Sequence, residues 1–323
     1  MNAQAACDLT YFALASTAAA PAPVAPKTPA GELPDVLGGR YRIERLLGVG
    51  GMGAVYRARD LLREQFGDPE PYVALKTLSE DFAEYPDASA LLYSEYALTT
   101  RLSHRHVVRL YNFDIDQASQ RAFITLELLK GPTLDQLLCE RLQGMPWSEL
   151  QGIALPLLEA LTYSHSLGVL HGDLKPSNVM LADDGLRLFD YGLGQPLEGL
   201  LPGLPRLCRT RFAAWTPRYA ALELLDGGEL TAAADVYALA CVLYELASGS
   251  HPFRRLSARQ AKAMELDRAL QRPLQLPAHC WPALRLALAF DEAQRSIDAA
   301  GLLHAFSRPA PNRWQRWFGH SHG

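Results

Sequence analysis

The sequence predicts an α+β fold in two lobes, a small one built mainly from β-strands and then a larger one built mainly from helices. The chain has 323 residues, which is long for one hydrophobic core and short for three. Over residues 41–59, apolar and polar residues alternate as they do in half-buried strands. Over 134–142 and 148–167, apolar residues recur with helical spacing.

Composition narrows the classes of protein that the chain can be. Charge is nearly balanced, with 31 Lys and Arg against 35 Asp and Glu, which argues against nucleic acid as a partner. The 5 cysteines are far apart and show no C-x-x-C spacing, so we expect no disulfide framework, no zinc site and a cytoplasmic location. The longest apolar runs, such as 153–161, are too short to cross a bilayer, and we expect no transmembrane segment.

Residues 1–38 are predicted to form a disordered arm. They are rich in Ala and Pro, and such a composition cannot bury enough apolar area to offset the entropy lost on ordering. A signal peptide is the competing interpretation. It is disfavoured because no Lys or Arg precedes Lys27 and because Asp8 interrupts the early apolar part.

A glycine-rich loop joins the first two predicted strands, residues 41–47 and 54–59. The loop reads Gly48-Val49-Gly50-Gly51-Met52-Gly53, a G-x-G-x-x-G pattern. In a dinucleotide-binding domain this pattern would open a helix, but here a strand follows. A Walker-type loop is excluded because no Gly-Lys-Ser/Thr follows. The pattern therefore indicates a hairpin whose backbone N–H groups can cover phosphates.

The stretch from His171 to Asn178 reads HGDLKPSN and concentrates polar groups of different chemistry. A nucleotide that carries Mg²⁺ needs oxygen ligands for the metal, which Asn178 and Asp190 can supply. Asp173 could accept the proton of an attacking hydroxyl, and Lys175 could neutralise a transferred phosphoryl group. Clusters of this kind also occur on solvated loops, so the stretch alone does not decide the function.

Together these motifs resemble those of protein kinases. HGDLKPSN resembles the catalytic loop H-R-D-L-K-P-x-N, Asp190-Tyr191-Gly192 resembles D-F-G, and the glycine hairpin followed by Val55 resembles the glycine-rich flap. Lys and Pro after the aspartate are the serine/threonine-specific form, and the flap is of the bacterial type. The resemblance spans about residues 40–306 and implies a bilobal protein-kinase-like fold. It places the N-lobe at 39–128, the C-lobe at 129–308 and a tail at 309–323.

The resemblance also implies a role for each site residue, with ATP and Mg²⁺, or Mn²⁺ as an alternative, as cofactors. Lys76, held by Glu95 on a helix predicted over 88–102, would position the phosphates; a glutamate exposed on the helix surface is the alternative. Asp173 and Lys175 would act in catalysis, and Asn178 and Asp190 would bind the metal between the lobes. The nucleotide-binding residues on this basis are Gly48, Val49, Gly50, Gly51, Met52, Gly53, Val55, Ala74, Lys76, Leu126, Glu127, Leu129 and Met180. The apolar residues among them are equally suited to an ordinary core.

The segment from Asp190 to Glu223 resembles the activation segment of the family. Thr216 would contact Asp173 and Lys175, while Arg295 would pair with Glu223. Asp235 would hold the catalytic loop from a buried helix. Thr210 and Thr216 are the only Ser or Thr residues between Gly192 and Pro217, and either is a candidate for phosphorylation.

Four positions depart from the family pattern. Gly172 replaces the arginine that reads an activation-segment phosphate, so we expect activity without an activating kinase. Tyr191 replaces phenylalanine and is expected to change little, and Leu222 replaces a proline and loosens a turn. Pro156 lies inside the helix predicted over 148–167, where it should kink or shorten it.

The function implied is a serine/threonine protein kinase that transfers the ATP γ-phosphoryl group to proteins, including itself, in signal transduction. A pseudokinase that acts as a nucleotide-binding signalling scaffold is the alternative, disfavoured because Lys76, Asp173 and Asp190 are all retained. A small-molecule phosphotransferase is a third class, but such enzymes lack the segment that docks a polypeptide. Expected partners are protein substrates and a regulatory protein. The tail, with Trp314 and Trp317, either packs or frays at the chain end or forms a docking or membrane-surface segment.

Overall fold

The computed structural model describes residues 33–50, 53–78, 88–197 and 215–309. Residues 1–32 of the predicted arm, residues 310–323 of the predicted tail, Gly51, Met52 and Thr210 lie outside these residues. The prediction that the arm extends to residue 38 is wrong, because Val36–Leu37 forms a strand and Leu37 has no exposed surface. Within the described part, the first of two compact units contains residues up to 100 together with 109–128, and the second contains 101–108 and the residues from 129 onwards.

The first unit is built on a six-stranded sheet with strand order β1-β2-β3-β4-β6-β5, and every neighbouring pair is antiparallel. Its strands are β1 (Val36–Leu37), β2 (Tyr41–Val49), β3 (Gly53–Asp60), β4 (Tyr72–Leu78), β5 (Leu110–Ile115) and β6 (Ala122–Leu126). The core on this sheet includes Leu37, Leu75 and Phe123, each with no exposed surface, and Tyr41 meets Phe123 edge-on at 5.8 Å. Burial of this apolar side of the sheet is what the alternating pattern predicts.

Two helices belong to the same unit, α1 (Leu61–Gln65) and α2 (Ala88–Thr99). No helix is predicted from the sequence at the position of α1. Asp60 begins it, since its carboxylate accepts the backbone N–H groups of Leu62 and Arg63. The same carboxylate pairs with Arg40 at 2.8 and 2.6 Å. Helix α2 is shorter than the range predicted for it and ends at Thr99.

Residues 101–108, which the sequence analysis assigns to the N-lobe, group with the second unit. The reason is a short backbone pairing: the Val108 N–H donates to Leu188 O at 3.0 Å, and the Leu188 N–H donates to His106 O at 2.8 Å. His104 also stacks on Tyr163, with ring centroids 4.9 Å apart.

The second unit is mainly helical. Its helices are α3 (Leu134–Glu140), α4 (Trp147–Ser166), α5 (Leu222–Leu225), α6 (Ala232–Ser248), α7 (Ala258–Ala263), α8 (Trp281–Ala287) and α9 (Ala299–Ser307). Its short strands are β7 (Val169–Leu170), β8 (Val179–Ala182), β9 (Gly185–Leu188) and β10 (Gln195–Pro196), paired as β7 with β10 and β8 with β9. Helix α6 forms the centre, because nearly all of its side chains are buried. An apolar helix of this kind needs a core on every side.

Helix α4 runs through Pro156 and continues to Ser166, so of the two predicted effects, a kink or a shortening, the shortening does not occur. The proline removes one backbone hydrogen bond to Gly152, but Leu157 and Leu158 beside it have no exposed surface and hold the helix in the core. Gly168 ends the helix: it has φ 71° and its N–H donates to His165 O at 2.9 Å.

None of the helices in the described residues combines the length and the apolarity that a bilayer crossing requires. Cys139, Cys241 and Cys280, the cysteines in the described part, are free thiols.

Candidate active site

The glycine loop lies between β2 and β3, and all of it except Gly51 and Met52 belongs to the described residues. The Gly50 N–H donates to Gly53 O at 2.7 Å, which closes the tip of the hairpin. At Gly53 a Cβ atom would collide with the backbone oxygen of Thr77 on β4, so only glycine fits there. Val55 pairs directly with Lys76 across β3 and β4. The sheet register therefore places the loop one strand away from the lysine.

Lys76 and Glu95 form an ion pair within the first unit. The lysine Nζ lies 2.7 Å from both carboxylate oxygens, and the two side chains are only 13% and 8% exposed. Glu95 faces inward because it shares the buried side of α2 with Leu91, Leu92 and Leu98. The exposed-glutamate alternative is therefore excluded. A paired and sheltered ammonium group is held at a fixed position, as phosphate binding requires.

The candidate adenine-binding residues of this unit meet at the end of the sheet. Ala74 on β4 pairs with Leu126 on β6, and Ala74 is 4% exposed. The Glu127 N–H donates to Arg109 O at 2.9 Å, while the Glu127 carboxylate accepts the Arg109 N–H at 2.8 Å. The Glu127 N–H and carboxylate therefore both bond to the backbone of Arg109. Leu129 and Met180, also predicted for this role, belong to the second unit.

Asp235 on α6 binds the backbone of the loop that contains His171 and Gly172 in the second unit. Its carboxylate accepts the backbone N–H groups of His171 at 2.8 Å and Gly172 at 2.9 Å and contacts His165 Nε2 at 2.9 Å. Burial favours a raised pKa at Asp235, but these hydrogen bonds prevail and hold the pKa of the carboxyl below its usual value. The aspartate is 2% exposed and shapes the loop, as expected from the sequence.

Asp173 presents its carboxylate to two partners in the same unit. Lys175 Nζ donates to Oδ2 at 2.5 Å, and the Thr216 N–H donates to Oδ1 at 3.2 Å. Lys175 also donates to the Thr216 hydroxyl at 3.0 Å, so the three residues form one cluster. Burial raises the pKa of Asp173 even though Lys175 opposes the shift. The predicted Thr216 contacts are therefore present in the structure.

Asn178 and Asp190 are brought together by the backbone between them. The Phe189 N–H donates to Asn178 O at 3.0 Å, and Asp190 follows directly. The Asn178 side-chain NH₂ donates to Asp173 O at 2.9 Å, so its amide oxygen is the atom turned to other partners. One carboxylate and one amide oxygen suit a hard divalent cation such as Mg²⁺, which takes its remaining ligands from phosphates and water. No cluster of three or more His, Cys, Asp or Glu suited to a metal occurs in the described residues.

The backbone around Asp190 is unusual. Asp190 has φ 67°, a left-handed conformation that aspartate tolerates better than most residues. Its neighbour Tyr191 is 1% exposed, and the Tyr191 hydroxyl lies 2.8 Å from Ser164 Oγ on α4. Sequence reasoning missed Ser164, because a lone serine inside a helix carries no signal of a distant partner.

The end of the activation segment is fixed by a buried arginine. Arg295 binds the Glu223 carboxylate at 2.7 and 3.3 Å, and its side chain has no exposed surface. It also donates to the backbone oxygens of Ala233 and Ala289, at 2.9 and 3.0 Å. This is the pair that the sequence predicts. Leu222 opens helix α5 directly before Glu223.

With this geometry established, comparison with known proteins identifies the class. The family model described as "Protein kinase domain" matches residues 41–307. The chain therefore belongs to the protein kinase domain family, and the predicted α+β kinase-like fold is confirmed.

Named relatives are bacterial. Serine/threonine-protein kinase PkaA of Streptomyces coelicolor is 32% identical over 78% of this chain and 47% of its own length. Serine/threonine-protein kinase PknD of Mycobacterium tuberculosis is 33% identical over 82% of this chain and 39% of its own length. The chain thus spans less than half of each of these two relatives. The resemblance to bacterial serine/threonine kinases that the sequence motifs indicate is confirmed.

Among solved structures, the chain is similar to the kinase domain of PknI from Mycobacterium tuberculosis. The TM-score is 0.60 at 25% sequence identity, and the match covers 84% of this chain and 96% of that domain. The shared region therefore includes most of the two units described above.

Proposed function

We propose that this chain is an ATP-dependent serine/threonine protein kinase, whose acceptors include Ser and Thr residues of other proteins and of the chain itself. The observation that carries the proposal is the cluster of Asp173, Lys175 and Thr216. In it a buried carboxylate, a cation and a hydroxyl-bearing segment of the chain lie within hydrogen-bonding distance of one another. Membership of the protein kinase family supports the same activity.

Asp173 is the group that orients the acceptor hydroxyl and takes its proton as the oxygen attacks phosphorus. Its carboxylate is fixed by Thr216 and Lys175, so the acceptor meets a preorganised oxygen. Lys175 neutralises charge on the transferred group. Because the transition state of phosphoryl transfer is loose, positioning and charge supply most of the rate.

Each unit contains groups suited to nucleotide phosphates or to the metal bound to them. Lys76, fixed by Glu95, is the cation for the phosphates, and the backbone N–H groups of the glycine hairpin cover them. Asn178 and Asp190 hold Mg²⁺, with Mn²⁺ as an alternative. The bound cation supplies neutralisation of the phosphate oxygens. We place this activity in the cytoplasm, which the free thiols Cys139, Cys241 and Cys280 support.

Substitution of Asp173 by Asn tests the proposal. The variant keeps the shape of the side chain and loses the proton acceptor, so phosphate transfer from ATP to a general Ser/Thr acceptor should fall by about 10²-fold or more. Nucleotide binding, measured by calorimetry, should persist.

Asp184→Asn is the matched control, because Asp184 is a 70% exposed aspartate of the same unit that pairs with Arg187. It should transfer phosphate at the native rate. Equal rates for the native chain and Asp173→Asn, or nucleotide binding by the native chain without any transfer, would contradict the proposal. The second outcome would identify a nucleotide-binding scaffold.

A further inference from the structure

Tyr191 makes a hydrogen bond that the phenylalanine of the D-F-G pattern could not make. Its hydroxyl lies 2.8 Å from Ser164 Oγ, and both residues are buried, with Tyr191 1% and Ser164 0% exposed. Ser164 Oγ also lies 2.9 Å from Ala160 O, one turn earlier in α4. A serine has one hydroxyl proton and a carbonyl can only accept, so Ser164 donates to Ala160. Tyr191 is therefore the donor to Ser164.

The same turn is held on its other side by His171. The Asp173 N–H donates to His171 Nδ1 at 3.3 Å, so the ring proton is on Nε2, which donates to Phe189 O at 3.1 Å. Burial lowers the pKa of His171 and keeps the ring neutral. Its ring also lies against that of Tyr191, with centroids 4.6 Å apart. The residues on both sides of Asp190 are thus fixed to the protein interior.

Asp190 is the single residue between these two fixed points. Its φ of 67° is a conformation that costs free energy for any residue other than glycine. Such a conformation persists only where the surroundings impose it. Release of either flank would let the backbone relax and would move the Asp190 carboxylate.

We propose that Ser164 is a positioning residue: by accepting the Tyr191 hydroxyl it keeps the Tyr191 ring in the interior, and the buried ring holds the Asp190 turn in the conformation that binds the metal. In this chain Gly172 stands where an arginine would read an activating phosphate. Buried neutral groups hold the turn instead, so the metal-binding geometry is present before any modification. This inference rests on the proposed function for the role of Asp190 as a metal ligand.

Loss of Ser164 and loss of the Tyr191 hydroxyl should have different effects, and this difference tests the inference. Ser164→Ala leaves a buried phenol without an acceptor, and such a group leaves the interior to reach water. Tyr191→Phe removes the hydroxyl itself and leaves Ser164 still bonded to Ala160. The double variant Ser164→Ala/Tyr191→Phe contains no orphaned group. Ser164→Ala should therefore be the most damaging change, and the added Tyr191→Phe should rescue it.

Two measurements on the full chain report on the conformation of the Asp190 turn. The first is hydrogen exchange of the backbone amides of residues 189–194 without nucleotide, which should be faster in Ser164→Ala and restored in the double variant. The second is the Mg²⁺ concentration for half-maximal binding of a fluorescent, non-hydrolysable ATP analogue. It should rise about tenfold in Ser164→Ala, equivalent to about 1.4 kcal/mol. It should rise less than about threefold in Tyr191→Phe and in the double variant.

Ser248→Ala and Tyr244→Phe are matched controls that should leave both measurements unchanged. Ser248 donates to Tyr244 O at 2.9 Å within α6, and the Tyr244 hydroxyl donates to Gln271 O at 3.1 Å. Failure of the double variant to rescue, or native exchange of residues 189–194 in Ser164→Ala, would overturn the inference. A native chain that shows no Mg²⁺-dependent nucleotide binding would instead contradict the proposed function, and the exchange data would still decide whether Ser164 keeps Tyr191 and the turn in place.

Discussion

At the scale of single residues, the chemistry depends on charges that are paired inside the protein. Lys76 and Glu95 are the strongest case, because neither side chain is more than 13% exposed. A buried charge that loses its partner is costly, so each residue fixes the other. The same logic applies to Asp235, which is satisfied by two backbone amides and His165.

Glu95→Gln should lower kcat/KM for ATP by about tenfold, because the amide still accepts a hydrogen bond from Lys76 but no longer offsets its charge. Steady-state kinetics against ATP concentration measures the effect. Glu149→Gln is the control, since Glu149 lies in a surface pair with Arg141 at 3.0 Å. Native kcat/KM in Glu95→Gln would show that the ion pair does not position the phosphates.

Gly172 also has a structural role, because the backbone at this position accommodates only glycine. Its φ is 83°, and a Cβ atom there would collide with the backbone oxygen of Leu193. Gly172→Ala should therefore reduce the free energy of unfolding by about 2 kcal/mol or more, measured by chemical denaturation. Gly227→Ala separates the two causes, because Gly227 has φ 87° but nothing within 4 Å of its Cβ position. Equal losses in the two variants would show that the collision contributes nothing.

At the scale of elements, the loop that follows α6 contains a buried histidine that packs against the activation segment. His251 Nδ1 accepts the backbone N–H groups of Phe253 and Arg255, both at 3.2 Å, and the ring is 5.3 Å from that of Tyr219. Burial lowers the pKa of His251 to about 3. The imidazole must stay neutral, because a proton on Nδ1 would face two donors.

This histidine makes stability depend on pH. Between pH 6.5, the ordinary pKa, and pH 3 the unfolded chain binds a proton that the folded chain does not. The contribution of His251 to the free energy of unfolding is therefore complete above pH 6.5. Below that pH it is lost by about 1.4 kcal/mol per pH unit. In His251→Asn, whose amide oxygen can replace Nδ1 as acceptor, denaturation between pH 6.5 and 4 should show a shallower slope. The control His304→Asn, at an exposed histidine on α9, should keep the native slope, and an unchanged slope in His251→Asn would contradict this account.

Regulation by phosphorylation also belongs to the activation segment. Because Gly172 supplies no arginine to read a phosphate, Thr210→Ala and phosphatase-treated protein should both keep activity within about twofold of the native chain. Phosphate transfer to a general acceptor measures this. Loss of activity in either sample would show that a phosphate orders the segment through another cation.

Local signals in the sequence predict most of the elements, and they fail where long-range contacts decide. The glycine hairpin and the helices predicted over 134–142 and 148–167 follow from patterns within a few residues, whereas the buried helix that contains Asp235 is implied by the family resemblance. Helix α1 is not predicted, although Asp60 is a residue type favoured at the start of a helix. The shortening predicted for Pro156 does not occur, since the core on both sides outweighs one lost hydrogen bond.

The candidate site follows the same division. Motif spacing places Asp173, Lys175 and Asn178 on one loop, and family resemblance suggests Glu95 and Arg295. Ser164 could not be predicted, because its partner Tyr191 is 27 residues away and the contact depends on how α4 packs. The assignment of 101–108 to the second unit depends equally on pairing with a distant strand.

At the scale of the whole molecule, the two units divide the chemistry. The first provides the glycine hairpin and the pair of Lys76 and Glu95, and the second provides Asp173, Lys175, Asn178 and Asp190. The proposed function assigns the phosphate-positioning cation to the first unit and the proton acceptor to the second, so neither unit expressed alone should transfer phosphate.

The most direct test of the central claim is phosphate incorporation from ATP and Mg²⁺ by the purified full chain. Phosphate would be measured on the chain itself and on a general protein acceptor. The phosphorylated amino acids would then be identified. Phosphoserine and phosphothreonine should form with the native chain and should disappear in Asp173→Asn. Nucleotide binding with no phosphoamino acid formed, or phosphate found only on tyrosine, would contradict the central claim.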